Sequence, residues 1–261
     1  MSSHNDSSKG LLDYDGQKAD YDAHKNLKAY NGDKGNNTHN GSGGHDVYRG
    51  GLGDDTWKGK SGDDWGWGQG GKDKLWGDAG NDYNSGGKGN DEGHGGSGND
   101  KWWGHSGNDK GWGDAGNDEH HGGSGNDQHW GGAGDDQLWG DAGHDKQWGE
   151  DGDDQLWGGG GDDEHWGGKG DDWHDGGDGK DIYHFENGDG HDEIDNYDPE
   201  NDRIVVKGKT EDDYVYTDDG DGNTDVSWGE EGDGVKLLGI DHDIFDTDDT
   251  ATNNTDDTAI A

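Results

Sequence analysis

The chain reads Gly95-Gly96-Ser97-Gly98-Asn99-Asp100 near its middle, and the same pattern of Gly, Gly and Asp returns every nine residues. Between Gly41 and His184 sixteen such units follow one another without an insertion or deletion, and positions 1, 4 and 6 of each unit are Gly, Gly and Asp. A short period held this strictly indicates a repeat array, in which each unit is one small structural element stacked on its neighbours.

The composition is that of a chain that cannot fold on apolar burial alone. There are 63 acidic and 20 basic residues, which give a formal charge of −43, and only 22% of the residues are hydrophobic. Such a chain repels itself and buries too little apolar surface to offset the entropy lost on ordering its backbone. We therefore expect a bound cation to supply part of the folding free energy.

Charge and residue usage exclude several classes of function. A polyanion gains nothing from releasing the counterions of nucleic acid, and anionic membrane surfaces are disfavoured for the same reason. The sequence has no Cys, so it forms neither disulfides nor thiolate zinc sites. It has no apolar run long enough for a membrane span, and the first residues lack the basic and apolar regions of a cleaved signal peptide.

The conserved half of each unit has the chemistry of a site for a hard cation. The two Gly allow positive φ angles and a close approach of the backbone, which exposes carbonyl oxygens. The Asp adds a charged oxygen. Oxygen-only donors in a flexible loop favour Ca²⁺ over Mg²⁺ or Zn²⁺. The sequence predicts a six-residue turn, G-x-x-G-x-D, followed by a three-residue strand.

The pattern resembles the calcium-binding nonapeptide of the RTX (repeats-in-toxin) haemolysin-type family, and units such as Gly95–Asp100 and Gly131–Asp136 show it in full. The resemblance implies an all-β fold, namely a parallel β-roll (β-solenoid) of nonapeptide repeats with a small C-terminal antiparallel β cap. Two units make one turn, and each ion lies between loops of successive turns. Two rows of eight loops then give about fourteen Ca²⁺ ions.

The resemblance also names candidate calcium ligands. They are the position-6 aspartates of the sixteen units and one further aspartate in the run Gly188–Asp192, which is similar to the sequence after the last repeat in many RTX proteins. The predicted ligands are Asp46, Asp55, Asp64, Asp73, Asp82, Asp91, Asp100, Asp109, Asp118, Asp127, Asp136, Asp145, Asp154, Asp163, Asp172, Asp181 and Asp192.

Four segments follow from the extent of the repeats. Residues 1–31 are a polar N-terminal flank with at most a short strand near Tyr30, and residues 32–184 form the roll. Its first unit, 32–40, is a decayed repeat with Asn37 at the Asp position. The remaining segments are a C-terminal β cap at 185–245 and a disordered tail at 246–261, whose end is similar to the uncleaved signals of type I secretion substrates.

Two positions of the unit depart from the family pattern. Position 8, where the family places an inward aliphatic side chain, is apolar in seven units and polar or Gly in nine. The apolar residues are Tyr48, Trp57, Leu75, Trp102, Leu138, Leu156 and Tyr183; the others are Gly66, Asn84, Gly93, Gly111, His120, His129, Gln147, His165 and His174. Because such a core leaves voids and unpaired polar groups, we expect unusual dependence on calcium. The histidines are interpreted as residues tolerated in a loose interior rather than as a metal site.

Position 9 carries nine Trp, and it lies on the outer face of a strand whose position 8 points inward. Trp112, Trp130, Trp148 and Trp166 are eighteen residues apart and predict one stacked ladder. Three interpretations stay open: the rings shield the thin core, they form an outward strip that binds a glycan or a second copy of the chain, or the register is inverted and the Trp lie inside.

These observations favour a secreted, calcium-binding protein whose folding is coupled to calcium. Extracellular calcium modules bind at about 10⁻⁴ to 10⁻³ M, so the chain is expected to fold outside the cell. The alternative is a calcium-dependent adhesin or polysaccharide-binding module that uses the Trp ladders. No H-E-x-x-H, G-x-S-x-G or P-loop motif occurs, and we expect no enzymatic activity.

Overall fold

The computed structural model describes residues 27–209, 214–228 and 234–240, and these residues form an all-β protein of 23 strands in two sheets. The strands alternate between the sheets along the chain, so each turn contributes one strand to each sheet. The predicted parallel β-roll is thereby confirmed. No helix that could cross a membrane is present among the described residues.

Sheet A has thirteen strands, which include every odd-numbered one. In spatial order they are β1 Lys28–Asn31, β3 Asp46–Leu52, β5 Trp65–Gly70, β7 Tyr83–Lys88, β9 Lys101–Ser106, β11 Glu119–Ser124, β13 Gln137–Ala142, β15 Gln155–Gly160, β17 Trp173–Asp178, β19 His191–Asp195, β23 Gly234–Leu237, β22 Thr224–Ser227 and β21 Val215–Asp218.

Sheet B has ten strands and lies across the roll from sheet A. In order they are β2 Thr38–Asn40, β4 Thr56–Ser61, β6 Lys74–Ala79, β8 Glu92–Ser97, β10 Lys110–Ala115, β12 Gln128–Ala133, β14 Lys146–Asp151, β16 Glu164–Lys169, β18 Ile182–Phe185 and β20 Arg203–Val206.

The register between neighbouring strands is eighteen residues, as two nine-residue units per turn require. Trp112 pairs with Trp130, and Trp130 pairs with Trp148. The strands are longer than predicted, because pairing continues from position 7 through position 3 of the next unit and covers six residues, as in Lys110–Ala115. The turn is correspondingly shorter, since the first Gly of the pattern belongs to a strand.

Strands of the roll continue on both sides of the sixteen units. At the N-terminal end β1 pairs in parallel with β3 in the eighteen-residue register. At the other end β19 and β20 extend the two sheets in parallel, with offsets of 20 and 21 residues. The antiparallel cap consists of β21, β22 and β23. Residues 1–26 and 241–261 lie outside the described part of the chain, as does the proposed secretion signal.

The interior is lined by position 8, and its two apolar clusters lie at the two ends. Tyr48, Trp57, Leu75 and Trp102 form a buried cluster near the N-terminal end. A larger cluster, built from Tyr183, Phe185, Ile194, Val206, Val226, Trp228, Val235 and Leu237 with Tyr197, joins the last turns to the cap. Between them the inward column is His, Gln and Gly apart from Leu138 and Leu156, and all of these residues are buried.

The Trp of position 9 face outward, so the inverted register is wrong. The indole rings of Trp112, Trp130, Trp148 and Trp166 stack with centroids 4.7 Å apart at each step, and the planes of successive rings differ by 2–12°. The spacing is that of neighbouring strands. The predicted ladder is confirmed.

Candidate calcium sites

Each position-6 Asp after Asp46 is the last residue before a strand, and its side chain joins two turns of the roll. The backbone N–H of Asp100 donates to Oδ1 of Asp118 at 2.6 Å, and the N–H of Asp118 donates to Oδ1 of Asp136 at 2.7 Å. The contact recurs along both edges of the roll, so the predicted ligands form two rows. One row is Asp46, Asp64, Asp82, Asp100, Asp118, Asp136, Asp154, Asp172 and Asp192; the other is Asp55, Asp73, Asp91, Asp109, Asp127, Asp145, Asp163 and Asp181.

The second carboxylate oxygen of these residues has no hydrogen-bond partner. All seventeen predicted ligands are at most 3% exposed, and each has one buried oxygen without a partner: Oδ1 in Asp46 and Oδ2 in the others. An unpaired buried carboxylate oxygen is costly unless a cation or a donor compensates it. Seventeen such atoms in two regular rows indicate that the roll is built to hold cations.

Burial also raises the pKa of the fifteen carboxyl groups from Asp64 to Asp192 in these rows. The pKa rises to about 8 in Asp100, about 6 in Asp118 and about 7 in Asp154. The main cause is loss of solvation; the hydrogen bond from the neighbouring backbone lowers the pKa, and nearby carboxylates raise it again. Without a cation these carboxyl groups therefore ionise at a higher pH in the folded roll than in the unfolded chain, where the pKa of Asp is about 3.9.

The invariant glycines are required because oxygens fill the space of their missing side chains. A Cβ on Gly113, at position 1, would lie 2.3 Å from Oδ2 of Asp118 and 2.4 Å from the carbonyl oxygen of Gly131. Gly116, at position 4, has φ +134°, and its Cβ would lie 1.8 Å from the carbonyl oxygen of Gly98. Loops of successive turns can stack this closely only with Gly at both positions.

Some backbone oxygens of the loop remain available as ligands. The carbonyls of positions 3 and 6 accept bonds from neighbouring turns, as in Gly116 N to Ala133 O at 2.8 Å and Glu119 N to Asp100 O at 2.9 Å. Within the sixteen units, as far as the structure describes them, no backbone N–H donates to the carbonyls of positions 4 and 5.

The donor set fits calcium. The described residues contain no group of three or more His, Asp or Glu side chains that could hold a metal ion, so an ion at the loops needs backbone carbonyls besides the carboxylates. A mixture of carboxylate and carbonyl oxygens is typical of Ca²⁺, whereas Zn²⁺ prefers His and Cys. The position-6 aspartates with the carbonyls of positions 4 and 5 are the residues that would hold it.

A second ladder, which the sequence interpretation did not predict, lies one residue before the aspartates. At position 5 the side-chain Oδ1 accepts the backbone N–H of the same position one turn later, as in Asn117 N to Asn99 Oδ1 at 3.1 Å and Asn99 N to Asn81 Oδ1 at 2.8 Å. The signal was present, since position 5 is Asn or Asp in twelve of the sixteen units. These side chains hold the loops in register.

The structure adds Asp202 to the second row of aspartates. The backbone N–H of Asp181 donates to Oδ1 of Asp202 at 2.9 Å, as in the repeats. Its Oδ2 accepts the N–H of Asp198 at 2.8 Å, so this carboxylate is fully paired and closes the row. The offset of 21 residues hid Asp202 from the nine-residue register, although an Asp directly before the strand Arg203–Val206 was a usable signal.

Of the comparisons with known proteins, the match to a family model supports this description. No match is found among curated proteins. One similar solved structure is the extracellular lipase LipA from Serratia marcescens, with 17% sequence identity and a TM-score of 0.29 over 84% of this chain and 39% of the lipase. A family model of the RTX calcium-binding nonapeptide repeat (4 copies) matches residues 30–56, 58–92, 85–119, 121–147 and 148–173, which together exceed half of the chain. The chain therefore belongs to the RTX calcium-binding repeat proteins and is a calcium-binding β-roll.

Proposed function

We propose that this chain is a secreted protein whose roll forms when calcium binds its two rows of loops. The observation that carries the proposal is the row of buried carboxylate oxygens without partners, one in each of seventeen aspartates. A divalent ion at each step between loops replaces the solvation that those oxygens lose on folding. Calcium binding is then part of the folding reaction rather than an addition to a preformed domain.

The number of ions follows from the number of loop-to-loop steps. The sixteen repeats give the fourteen steps expected from the sequence, and Asp192 and Asp202 extend each row by one step. Sixteen Ca²⁺ ions would bring thirty-two positive charges and reduce the formal charge from −43 to −11. Each ion present at about ten times its Kd stabilises the fold by about 1.4 kcal/mol, so folding should depend steeply on calcium.

Extracellular location is part of the proposal. A chain with so little apolar core stays unfolded where calcium is scarce and folds where it reaches about 10⁻³ M, the range of extracellular calcium modules. We propose export by type I secretion with the C-terminal residues as the signal. We also propose that the chain has no catalytic role, because its buried carboxylates serve as ion ligands and no nucleophile motif occurs.

The alternative adhesin function receives less support from the geometry of the Trp ladders. A sugar ring that binds an aromatic side chain packs on the flat face of that ring. In sheet B the faces of Trp112, Trp130 and Trp148 are covered by the neighbouring rings at 4.4–4.7 Å. Only ring edges are free there, which favours the interpretation that the ladders shield the thin core.

A calcium titration followed by far-UV circular dichroism tests the proposed function. We expect a disordered spectrum in EGTA, a β-sheet spectrum with a cooperative midpoint as calcium is added, and reversal on chelation. Mg²⁺ should act poorly at equal concentration because it demands a rigid octahedral shell. A spectrum that stays disordered at about 10 mM Ca²⁺, well above the Kd of extracellular modules, would rule the proposal out.

A further inference from the structure

The outer face of sheet B has a second period of 36 residues on top of the period of nine. Every second strand carries Lys at position 7, Trp at position 9 and an acid at position 2. These triplets are Lys74–Trp76–Asp78 on β6, Lys110–Trp112–Asp114 on β10, and Lys146–Trp148–Glu150 on β14. The strands between them have Gln or Glu at position 7 and Gly at position 2, as in Glu164, Trp166 and Gly168 on β16.

The alternation places three straight columns on one face. Residues two apart on a strand lie about 6.6 Å apart on the same side. The lysine column (Lys74, Lys110, Lys146) therefore runs along one side of the aromatic ladder, and the acidic column (Asp78, Asp114, Glu150) along the other. The ladder comprises Trp76, His94, Trp112, Trp130, Trp148, Trp166 and His184, whose successive centroids are 4.2–5.3 Å apart with planes within 12°.

The acidic column makes no ion pair within the described part of the chain, although cations are scarce in this sequence. Lys74 pairs with Glu92 and Lys146 with Glu164, both on the lysine side of the ladder. On the acidic side, Asp114 and Glu150 border a shallow open groove whose floor includes Gly132 and Gly168. The side chains of Asp78, Asp114 and Glu150 are exposed.

The same acids stand in a backbone conformation that disfavours them. Asp78, Asp114 and Glu150 have φ angles of 74°, 72° and 83°, in the left-handed region where Gly is preferred. An L-residue there costs about 1–2 kcal/mol. Of the other strands of this face, β8, β12 and β16 use Gly at this position, and β4 has Lys60 with φ 85°. Acids at every second turn, without an ion pair among the described residues, point to a partner outside the chain.

A second copy of this face supplies the missing cations. Two such faces can meet about a two-fold axis that runs along the aromatic ladder. The rotation places the lysine side of one copy opposite the acidic side of the other, and each turn faces the same turn of the second copy. Lys110 of one copy then faces Asp114 of the other, and the pairs Lys74–Asp78 and Lys146–Glu150 form in the same way. An axis across the ladder instead puts lysines opposite lysines, so the charges specify parallel rolls.

The 36-residue period also fixes the register. In the matched arrangement Glu92 and Glu164 face Gly96 and Gly168 of the other copy. A slip of one turn puts these glutamates opposite the acidic column, and like charges across an interface are costly. The structure thus excludes the neighbouring registers through the charges that surround the ladder.

The area is sufficient for a specific but weak contact. From β4 to β18 the face comprises eight strands, each about 4.8 Å wide, and the five residues from position 7 to position 2 cover about 16 Å, which gives about 610 Å² per copy. Two copies bury about 1,200 Å², just above the lower limit of about 1,000 Å² for specific interfaces. The centre of the interface is formed by the edges of the Trp rings, and Trp is among the residue types that most often dominate the binding energy of protein interfaces.

We propose that the calcium-bound roll forms a parallel homodimer through the outer face of sheet B, with the lysine column of each copy against the acidic column of the other. This inference rests on the proposed function, since the face exists only in the folded roll and a chain of charge −43 must first be neutralised by calcium. Among the described residues sheet A has no such columns: its position-2 residues include one acid, Asp141, although its position-9 rings also stack, with planes within 17° from Trp103 to Trp157.

Sedimentation equilibrium in calcium, with circular dichroism on the same samples, tests the dimer. Lys110→Glu and Asp114→Lys should each weaken dimerisation about tenfold, because each disrupts two symmetry-related pairs. The double variant K110E/D114K should recover to within about threefold of the parent. Asp141→Lys is the matched control, since Asp141 has the same backbone conformation, φ 70°, on the other sheet and should leave the dimer unchanged.

Single cysteines test the orientation, because the chain has none. Lys58 and His184 lie at position 9 at opposite ends of the face. In the variants Lys58→Cys and His184→Cys, each new cysteine should form a disulfide with the same cysteine of the second copy. A folded chain that stays monomeric at about 1 mM, a double variant without recovery, or cross-links only between positions 58 and 184 would overturn the dimer while leaving calcium-coupled folding intact. A chain that does not fold in calcium would contradict the proposed function instead.

Discussion

The backbone N–H of Asp100 donates to Oδ1 of Asp118 at 2.6 Å, while Oδ2 of Asp118 is buried without a partner. One carboxylate thus ties two turns together and leaves a charged oxygen for an ion. We expect Asp118→Asn to lower the calcium stoichiometry and to raise the calcium midpoint of folding severalfold, because an amide keeps the shape but loses the charge. Isothermal titration calorimetry and circular dichroism would show both effects. The exposed variant Asp141→Asn should match the parent in both; equal effects of the two variants would argue against a ligand role.

Glycine at position 4 is required for the stacking of loops, and one matched pair of variants isolates this requirement. Gly116 has φ +134°, and a Cβ there would lie 1.8 Å from the carbonyl oxygen of Gly98, whereas a Cβ on Gly160 meets nothing within 4 Å. We expect Gly116→Ala to destabilise the calcium-bound roll by more than about 2 kcal/mol and Gly160→Ala by less than about 0.5 kcal/mol. Urea unfolding in saturating calcium measures the difference.

At position 2 of the repeat the stabilising change is expected to be the replacement of another residue by Gly. Asp141 has φ 70°, a conformation that costs an L-residue about 1–2 kcal/mol and glycine almost nothing. Asp141→Gly should therefore stabilise the roll by about 1 kcal/mol, visible as a lower calcium midpoint. The reverse change in the same column, Gly123→Asp, should destabilise it, because a Cβ there would lie 2.2 Å from the carbonyl oxygen of His105. Destabilisation by Asp141→Gly would mean that the Asp side chain holds the loop.

The buried histidines make the roll sensitive to acid. His129 and His174 are fully buried and both ring nitrogens of each lack a partner, and burial lowers the pKa of each to about 3. The pKa of His in the unfolded chain is about 6.5, so above that pH the two histidines are neutral in both states. As the pH falls from 6.5 towards 3 only the unfolded chain binds the protons, and the free energy of unfolding decreases by up to about 1.4 kcal/mol per pH unit for each His.

His129→Leu should reduce this slope and stabilise the roll at neutral pH as well, since it removes two unpaired polar atoms from the interior. Acid unfolding followed by Trp fluorescence at saturating calcium provides the measurement. Protonation of the aspartates contributes to the same transition and is common to both proteins. An unchanged slope in the variant would show that the aspartates alone set the acid limit.

The Gly and Asp positions of the turn were predictable from the sequence, because each depends on the local conformation of the loop. Gly116 is fixed by its φ angle and Asp118 by the turn it joins, and both recur at a strict period. Asp202 was not predicted because it lies 21 residues after Asp181 instead of 18, and only strand pairing shows that it continues the row. The strand length was underestimated because pairing through Gly at position 1 leaves no hydrophobic signal.

The surface organisation needed coordinates for a different reason. The sequence placed Trp112 and Trp130 in one ladder, but whether their faces were free depended on the stacking distance of 4.7 Å. The pairing of the lysine and acidic columns likewise depends on which strands share a sheet. The stacking and the charge pairing both involve residues eighteen or more positions apart in the chain, and the sequence pattern gives no distances between their side chains.

The apolar cluster at the C-terminal end gives the roll a direction of growth. Phe185, Ile194, Val235 and Leu237 belong to the larger of the two buried apolar clusters, whose contacts need no metal, so we expect folding to begin at this end. Strands β18 and β19 then present ordered edges on which the preceding turn can settle, and each new turn adds its ions as it docks. Assembly of this kind resembles crystallisation along one axis: a slow start, followed by rapid addition turn by turn. Loss of this cluster would delay folding far more than loss of one calcium site in the middle.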